Sequence, residues 1–120
     1  MMRIMLKSKI TSATITDAQL YYRGSITVDE SLMEAVDLRE GEKVDVLNVN
    51  NGARLQTYVI KGPRLSGVIC LNGPAARAGV KGDKLMVISY GIYTDDESAK
   101  LKPKIVELDD ANRIKNPPVA

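Results

Sequence analysis

The dipeptide Gly24-Ser25 has the residue types needed for a chain to cut its own backbone. A serine hydroxyl can attack a neighbouring peptide carbonyl when a base and an oxyanion donor assist it. Glycine on the acyl side helps, because it adopts φ/ψ values closed to other residues and leaves its carbonyl sterically open. Attack by Ser25 on Gly24 would give an ester, and elimination with loss of ammonia would leave a pyruvoyl group at residue 25. The same dipeptide is common in turns, so the surrounding residues decide between the two interpretations.

Composition restricts the other chemistry that is available. The 120 residues suffice for one domain, and no apolar run approaches the ~20 residues of a membrane-spanning helix. We expect a cytoplasmic protein, because the first residues become charged too early for a signal peptide. With no histidine and one cysteine, histidine-based triads are excluded and a zinc site of the usual nitrogen and sulfur kind is disfavoured. Acid–base catalysis would fall to Tyr, Lys, Asp, Glu or a cofactor.

The charge pattern does not indicate nucleic-acid binding. Seventeen basic and 15 acidic residues are mixed along the chain, and the aromatic residues are five tyrosines. Proteins that bind nucleic acids usually show clustered Lys and Arg with stacking aromatics. The single cysteine, Cys70, lies in an apolar run and is expected to be a small buried core residue.

The order of β-prone runs and turn signals predicts a small β-barrel or sandwich with very little helix. No repeat or linker divides the chain, so residues 1–120 are expected to form a single domain. Besides a strand that follows Gly24-Ser25, the predicted strands are 1–7, 9–16, 43–49, 53–60, 66–71, 84–90 and 104–108.

Local signals predict the connections between these strands. A short helix should begin at a cap on Asp29 or Ser31 and end near Leu38. Asn50-Asn51-Gly52 is typical of a hairpin turn. The other expected features are a single turn at 17–20, a loop with one helical turn at 72–79, a capped turn at 94–98 and a loose tail at 116–120.

Further residues of chemical interest accompany Gly24-Ser25 in a fixed order along the chain: Lys9, Tyr22, Arg54, Thr57, Tyr58, Asn72, Gly73, Pro74, Ala75 and Ala76. In this arrangement, over essentially the whole chain, the sequence resembles the aspartate 1-decarboxylases, pyruvoyl-dependent enzymes that make β-alanine for pantothenate. The resemblance implies a mostly β fold, a small double-psi β-barrel with one or two short helices. It also implies a homotetramer with active sites between neighbouring subunits.

The resemblance further implies a proenzyme that cleaves itself between Gly24 and Ser25. The products would be a β chain of residues 1–24 and an α chain of residues 25–120. The cofactor would be a covalent pyruvoyl group made from Ser25, without metal or PLP. It would form a Schiff base with L-aspartate and act as the electron sink when CO2 leaves.

Roles for individual residues also follow from the resemblance. Tyr58 would return a proton to the decarboxylated carbon, and tyrosine suits this role because it is protonated at neutral pH. Self-processing would involve Tyr22, Gly24, Ser25, Thr57 and Asn72. Substrate binding would involve Lys9, Arg54, Thr57, Gly73, Pro74 and Ala75.

Pro74 departs from the commoner Gly-Ala-Ala pattern of the family. Proline has no N–H group, so main-chain donation to the substrate should fall to Ala75 or Ala76. Two cations, Lys9 and Arg54, suit a substrate with two carboxylates, and the guanidinium of Arg54 can bind one of them in bidentate fashion.

Two alternatives stay open. The chain could be a non-catalytic small β-barrel binding module in which Gly24-Ser25 is only a turn. It could also be a pyruvoyl decarboxylase for another amino acid, since glutamate is one methylene longer and a methylene is worth roughly 1–3 kcal/mol in a pocket. Whether a helper protein is needed for maturation is open as well.

Overall fold

The computed structural model describes residues 1–115, and the predicted loose tail at 116–120 lies outside the described residues. Strands dominate, which confirms the predicted fold class of a mostly β domain with few short helices. The elements are β1 (Met2–Thr14), β2 (Asp17–Gln19), β3 (Ser25–Asp29), α1 (Glu30–Ala35), β4 (Lys43–Asn48), β5 (Arg54–Gly62), β6 (Ile69–Asn72), a 3-10 helix (Gly73–Ala78), β7 (Lys84–Thr94), α2 (Asp95–Lys100) and β8 (Lys104–Glu107).

The eight strands form one mixed sheet in the order β2-β6-β3-β5-β4-β7-β1-β8. Three of its pairings are parallel, β1 with β8, β2 with β6 and β3 with β5. The sheet curls, since the N–H of Thr16, just after β1, donates to the carbonyl of Ile69 at the start of β6. The chain thus encloses one core.

Branched aliphatic side chains fill this core, because alternate residues of each strand point inward. In β4, the alternate residues Val44, Val46 and Asn48 are buried. Asn48 keeps its amide satisfied by donating to the Ala78 carbonyl and to the Asp83 carboxylate. The sheet that carries the candidate site is therefore rigidly supported from within.

Three predictions for the N-terminal part of the chain are wrong in detail. Residues 1–7 and 9–16 form one strand, β1, because the long β7 pairs with almost all of it through two local irregularities. Residues 17–20 are not a turn but contain β2, which gains its partner from the distant β6. Helix α1 ends at Ala35 rather than near Leu38, although its cap, Asp29, is as predicted.

Two other predictions, one from a turn signal and one from a cap signal, are confirmed. The hairpin around Asn50-Asn51-Gly52 joins β4 to β5 in antiparallel register. Thr94 and Glu97 form a reciprocal capping box at the start of α2. β7 continues four residues beyond its predicted end at Tyr90, because the first residues of β1 pair with this extension.

Candidate active site

Ser25 is the first residue of β3 and lies where an exposed segment enters the sheet. Alternation along β3 turns Ile26 and Val28 into the core, so Ser25 and Thr27 face the other side of the sheet. The antiparallel register of β3 and β6 sets Ser25 opposite Asn72. Ser25 is only 1% exposed, whereas the preceding Gly24 is exposed. The predicted cleavage point therefore joins an accessible residue to a buried hydroxyl.

The side-chain amide of Asn72 is the centre of a small hydrogen-bond network around Ser25. Its Nδ2 donates to Ser25 Oγ at 2.9 Å and to Thr27 Oγ1 at 2.8 Å. Its Oδ1 accepts from the thiol of Cys70 at 3.3 Å. Because both amide hydrogens and the amide oxygen have partners, Asn72 is held in one orientation and the Ser25 side chain is fixed by it.

Gly73 allows the chain after β6 to pass directly against the residues that precede Ser25. Its φ of +65° lies in the left-handed region that favours glycine. A Cβ at this position would lie 2.5 Å from the Tyr22 carbonyl oxygen and 2.9 Å from the Gly24 nitrogen. Both neighbours are main-chain atoms, so glycine alone permits the approach. Tyr22 thus joins the site through its carbonyl, while its side chain is largely exposed.

A cavity of about 470 Å³ opens beside Gly24, large enough for a small amino acid. Pro74 closes one side, with its Cδ 3.8 Å from where a Cβ on Gly24 would lie. The lining residues are Gly24, Leu55, Gln56, Thr57, Pro74, Ala75, Arg77 and Ala78. The fold therefore gathers Thr57, Pro74 and Ala75 around the residue whose carbonyl Ser25 would attack.

Tyr58 stands next to Ser25 on the outward side of the sheet. In the parallel register of β3 and β5, Ile26 lies opposite Val59, so the residues before them, Ser25 and Tyr58, are neighbours on the other face. Tyr58 is 40% exposed, whereas Val59 is fully buried. Tyr58 is thus exposed on the strand beside that of Ser25, and Thr57, on the opposite face of β5, lines the Gly24 cavity.

Lys9 and Ser25 lie on strands that are not neighbours in the sheet. Lys9 pairs with Ile88 of β7, and β5, β4 and β7 lie between β3 and β1 in the sheet order.

Arg54 is also separated from Ser25. It precedes Tyr58 on β5 by four residues, about 13 Å along an extended strand. Its side chain borders a second cavity of about 530 Å³, whose other lining residues are Asp45, Leu47, Leu55, Gln56, Ile88 and Tyr90. A single chain therefore assembles the predicted self-processing residues, whereas Arg54 lines a different cavity and Lys9 lies on a strand that does not neighbour β3.

Two contributors to the network, Thr27 and Cys70, escaped prediction from the sequence. Thr27 is two residues after Ser25 and Cys70 two residues before Asn72, so strand alternation puts all four on one face. That spacing is the signal that could have found them. Cys70 is buried, as predicted, but its thiol also bonds Asn72.

Two properties of the described residues bear on cofactors and surroundings. In residues 1–115, no group of three or more His, Cys, Asp or Glu side chains could hold a metal ion. No helix in this part of the chain has both the length and the hydrophobicity needed to cross a bilayer.

Solved structures give two weak likenesses to designed proteins. The chain matches the crystal structure of "the rationally designed mkDPBB_sym_86 protein" with a TM-score of 0.48 and 16% identity, over 64% of this chain and 90% of that one. It matches "the computationally designed msDPBB_sym2 protein" with a TM-score of 0.45 and 16% identity, over 76% and 100%. TM-scores this low carry no argument about the site.

Sequence comparison gives much stronger matches. A protein named "Aspartate 1-decarboxylase" from Heliobacterium modesticaldum is 60% identical over 114 residues, which cover 95% of this chain and 86% of that protein. Proteins of the same name from Bacillus cereus and Bacillus thuringiensis are 57% and 55% identical, each over 95% of this chain and 90% of theirs. The family model described as "Aspartate decarboxylase" matches residues 1–115. The predicted family is confirmed, and the chain belongs to the aspartate decarboxylase family of enzymes.

Proposed function

We propose that this chain is the precursor of a pyruvoyl-dependent aspartate 1-decarboxylase, which cleaves itself at Gly24-Ser25 and then converts L-aspartate to β-alanine and CO2. One observation carries the proposal: the buried Ser25 hydroxyl is held by Asn72 beside the cavity that Gly24 lines. The names of the relatives supply the substrate. A role in pantothenate biosynthesis and a cytoplasmic location are part of the same proposal.

Self-cleavage would begin with attack of Ser25 Oγ on the Gly24 carbonyl carbon. The new C–O bond replaces the peptide C–N bond and leaves an ester with a free amino group on residue 25. Because Asn72 donates to Ser25 Oγ, the hydroxyl hydrogen is not needed for that bond and can pass to the departing nitrogen of residue 25, which becomes the free amino group. The Thr57 hydroxyl, on the wall of the same cavity, is the donor that we assign to the oxyanion.

Elimination would complete the cleavage without an oxidant or reductant. Loss of the α-hydrogen of residue 25 breaks its Cβ–O bond and frees residues 1–24 with a terminal carboxylate. The unsaturated residue 25 then takes up water and releases ammonia, which leaves the pyruvoyl group at the start of residues 25–120.

The surroundings of Ser25 fit a group of this size. A pyruvoyl group has one ketone oxygen where serine has a nitrogen and a hydroxyl. It is therefore no larger than the serine that it replaces, and the surroundings of residue 25 need not expand to accommodate it. The ketone oxygen would be carried by Cα, in place of the amino nitrogen, and the Cβ that carries Oγ would become a methyl group beside Asn72 Nδ2. When present, the group supplies an electrophilic carbonyl that serves as an electron sink for decarboxylation.

Residues of the chain would bind the substrate and handle the proton. Tyr58, beside Ser25, would hold the proton for the carbon that loses CO2. The main chain at Gly73 and Ala75 would contact the substrate, and Pro74 would contribute shape rather than an N–H donor. Arg54 would bind one substrate carboxylate through its guanidinium fork.

We assign Lys9 and Arg54 to the site of a second copy. Within one chain, Arg54 borders a different cavity from the one at Gly24, and Lys9 lies on β1, which does not neighbour β3 in the sheet. An exposed apolar patch, Ile4, Tyr90 and Ile92, borders the cavity that contains Arg54, and exposed patches of this kind often mark protein–protein contacts. A homotetramer with sites between neighbouring subunits, as the resemblance implies, would cover the patch and complete the site.

The first test is the intact denatured mass of the purified protein. Two species are expected, with the 25–120 fragment lighter than a hydrolytic product by one ammonia. A Ser25→Ala chain is the matched control and should give one mass. A wild-type chain that keeps a single mass after warm incubation, alone and in a lysate that could supply a helper protein, would refute the proposal.

The second test is mixing of two inactive variants. Ser25→Ala keeps Arg54 but cannot form the cofactor, and Arg54→Ala keeps Ser25. Co-expression should restore part of the aspartate decarboxylase activity, because some sites between copies then contain Ser25 from one chain and Arg54 from the other. No recovery would contradict sites shared between copies.

One alternative enzyme activity is kept, decarboxylation of another amino acid. Glutamate is its natural representative, since it differs from aspartate by one methylene. The rates with aspartate and glutamate, measured on one cleaved sample, decide between them. The binding-module alternative is set aside by the family membership.

A further inference from the structure

The orientation of the Asn72 amide is decided by residues that the reaction itself does not use. An asparagine amide can occupy its place in two ways, related by a 180° rotation that exchanges the oxygen and the nitrogen. In the orientation present, Nδ2 faces Ser25 and Thr27 while Oδ1 faces Cys70. In the rotated orientation, Oδ1 would face Ser25 and would accept a hydrogen bond from its hydroxyl group.

We propose that Cys70 and Thr27 are positioning residues for self-cleavage, which set the Asn72 amide so that its NH2 group faces Ser25 Oγ. The inference rests on the proposed function. It adds two residues that do not touch the reacting bond and act only through Asn72.

The surroundings of Cys70 explain why its sulfur acts as donor to Asn72. Two oxygens lie within reach of the thiol, Asn72 Oδ1 at 3.3 Å and the Leu71 carbonyl at 3.8 Å, and Asn72 is the nearer. Sulfur is a weak acceptor, so the thiol is better suited to donate to Oδ1 than to accept from Nδ2. Burial, and to a lesser extent the Asp17 carboxylate, raises the pKa of Cys70, so the thiol stays protonated and remains a donor.

Thr27 completes the arrangement from the other side. Its hydroxyl oxygen accepts the second hydrogen of Nδ2 at 2.8 Å, which keeps the amide plane aligned with both Ser25 and Thr27. With Asn72 only 3% exposed, no solvent can replace a lost partner freely. Removing either Cys70 or Thr27 as a partner would therefore loosen or rotate the amide that holds Ser25.

The consequence for cleavage concerns the Ser25 proton. When Asn72 donates to Oγ, the hydroxyl hydrogen is free to leave as the new C–O bond forms. When the amide is rotated, the same hydrogen is bound to Oδ1 and the amide no longer offers an N–H beside the reacting oxygen. Cleavage should then slow even though Ser25 and Asn72 are both present.

The test measures the first-order rate of precursor cleavage in Cys70→Ala, Cys70→Ser and Thr27→Val. Precursor is captured by short cell-free synthesis, and intact denatured mass follows its loss over time. Cys70→Ala and Thr27→Val should cleave roughly threefold to tenfold more slowly, the scale set by loss of one neutral hydrogen bond. Cys70→Ser should restore the rate, because a hydroxyl also donates to Oδ1.

Ile69→Val is the matched control for loss of packing. Ile69 lies on the same strand and is fully buried, and none of the hydrogen bonds to Asn72 involves it. The Ile69→Val variant should lower the melting temperature about as much as Cys70→Ala does, but it should leave the cleavage rate unchanged. Equal slowing in Ile69→Val, or equal slowing in Cys70→Ser and Cys70→Ala, would overturn the inference by making packing the cause.

Failure of this inference and failure of the proposed function are distinguishable. If the wild-type precursor keeps one mass throughout, self-cleavage itself is refuted, and the inference with it. If the wild type cleaves and both Cys70→Ala and Thr27→Val cleave at the same rate as the wild type, only the positioning role is overturned.

Discussion

Replacing Gly73 with alanine should have two costs, a clash with the main chain of residues 22–24 and the strain of a left-handed alanine, and a control variant can separate them. Gly52 offers the matched control, since its φ of +76° is similar and a Cβ there would meet nothing within 4 Å. At Gly73 the added Cβ would lie 2.5 Å from the Tyr22 carbonyl oxygen, against about 3.4 Å for an ordinary contact. The backbone around residues 22–24 or 73 must therefore shift by about 0.9 Å, the difference between these distances.

The expected effect on stability follows from these two contributions. A left-handed alanine costs about 1–2 kcal/mol at either position. Overpacking against backbone at Gly73 adds about 1–3 kcal/mol. Urea unfolding, followed by circular dichroism on precursors that carry Ser25→Ala to prevent cleavage, should therefore show Gly73→Ala to be the less stable variant by that second amount.

The effect on cleavage should be larger. Displacement of a reacting group by about 1 Å can slow a reaction by about 100-fold. In chains that retain Ser25, Gly73→Ala should cleave more slowly on that scale, while Gly52→Ala should cleave at the wild-type rate. If the two variants were equally stable and cleaved equally fast, the close packing of Gly73 on the cleavage segment would have no role.

Two further predictions concern catalysis and acid stability. Tyr58→Phe should still cleave itself, by denatured mass, but should form β-alanine about 10²–10⁴-fold more slowly, as measured by chromatography of the product; unchanged β-alanine formation would remove Tyr58 as the proton donor. Folding lowers the pKa of Asp29, because hydrogen bonds led by those of Ser31 and Gly67 outweigh the opposing effect of burial. This stabilisation is present above the unfolded pKa of about 3.8 and is lost as the pH falls through the lowered pKa of the folded state. Asp29→Asn should therefore be less stable near neutral pH and lose less stability on acidification, measured by urea unfolding from about pH 7 to pH 3; equal acid sensitivity in both chains would contradict the assignment.

Local chemistry explains the features that could be predicted from the sequence. The Asn50-Asn51-Gly52 hairpin, the Asp29 cap and the Thr94 capping box depend on residues within a few positions of one another. The resemblance pointed to Gly24, Ser25, Thr57 and Asn72, and the structure brings them to one place. Short-range signals and residue identity were sufficient for these features.

Pairing between distant strands explains what could not be predicted. Residues 17–20 were predicted to be a turn because nothing in the local sequence indicates a strand there. Three of them form β2 by pairing with β6, some fifty residues later in the chain. The same pairing sets β2 beside β6, the strand that carries both Cys70 and Asn72. The position of Lys9 relative to Ser25 likewise depends on the sheet order and not on any local pattern.

The strand order also bears on what cleavage would do to the molecule. Residues 1–24 include β1, which pairs with β7 along almost its whole length and with β8, and β2, which pairs with β6. Ile10, Ala13 and Ile15 of this segment are fully or almost fully buried in the core. A cut after Gly24 would therefore leave a nicked but folded domain.

The nicked domain should behave as one particle until it is unfolded. Size-exclusion chromatography without denaturant should elute residues 1–24 and 25–120 together, and urea should separate them. The exposed segment between β2 and β3 would be free to move after the cut, which would open the cavity at Gly24 to substrate without disturbing the core. Release of the 1–24 fragment under native conditions would show that the covalent bond, and not strand pairing, holds β1 in the barrel.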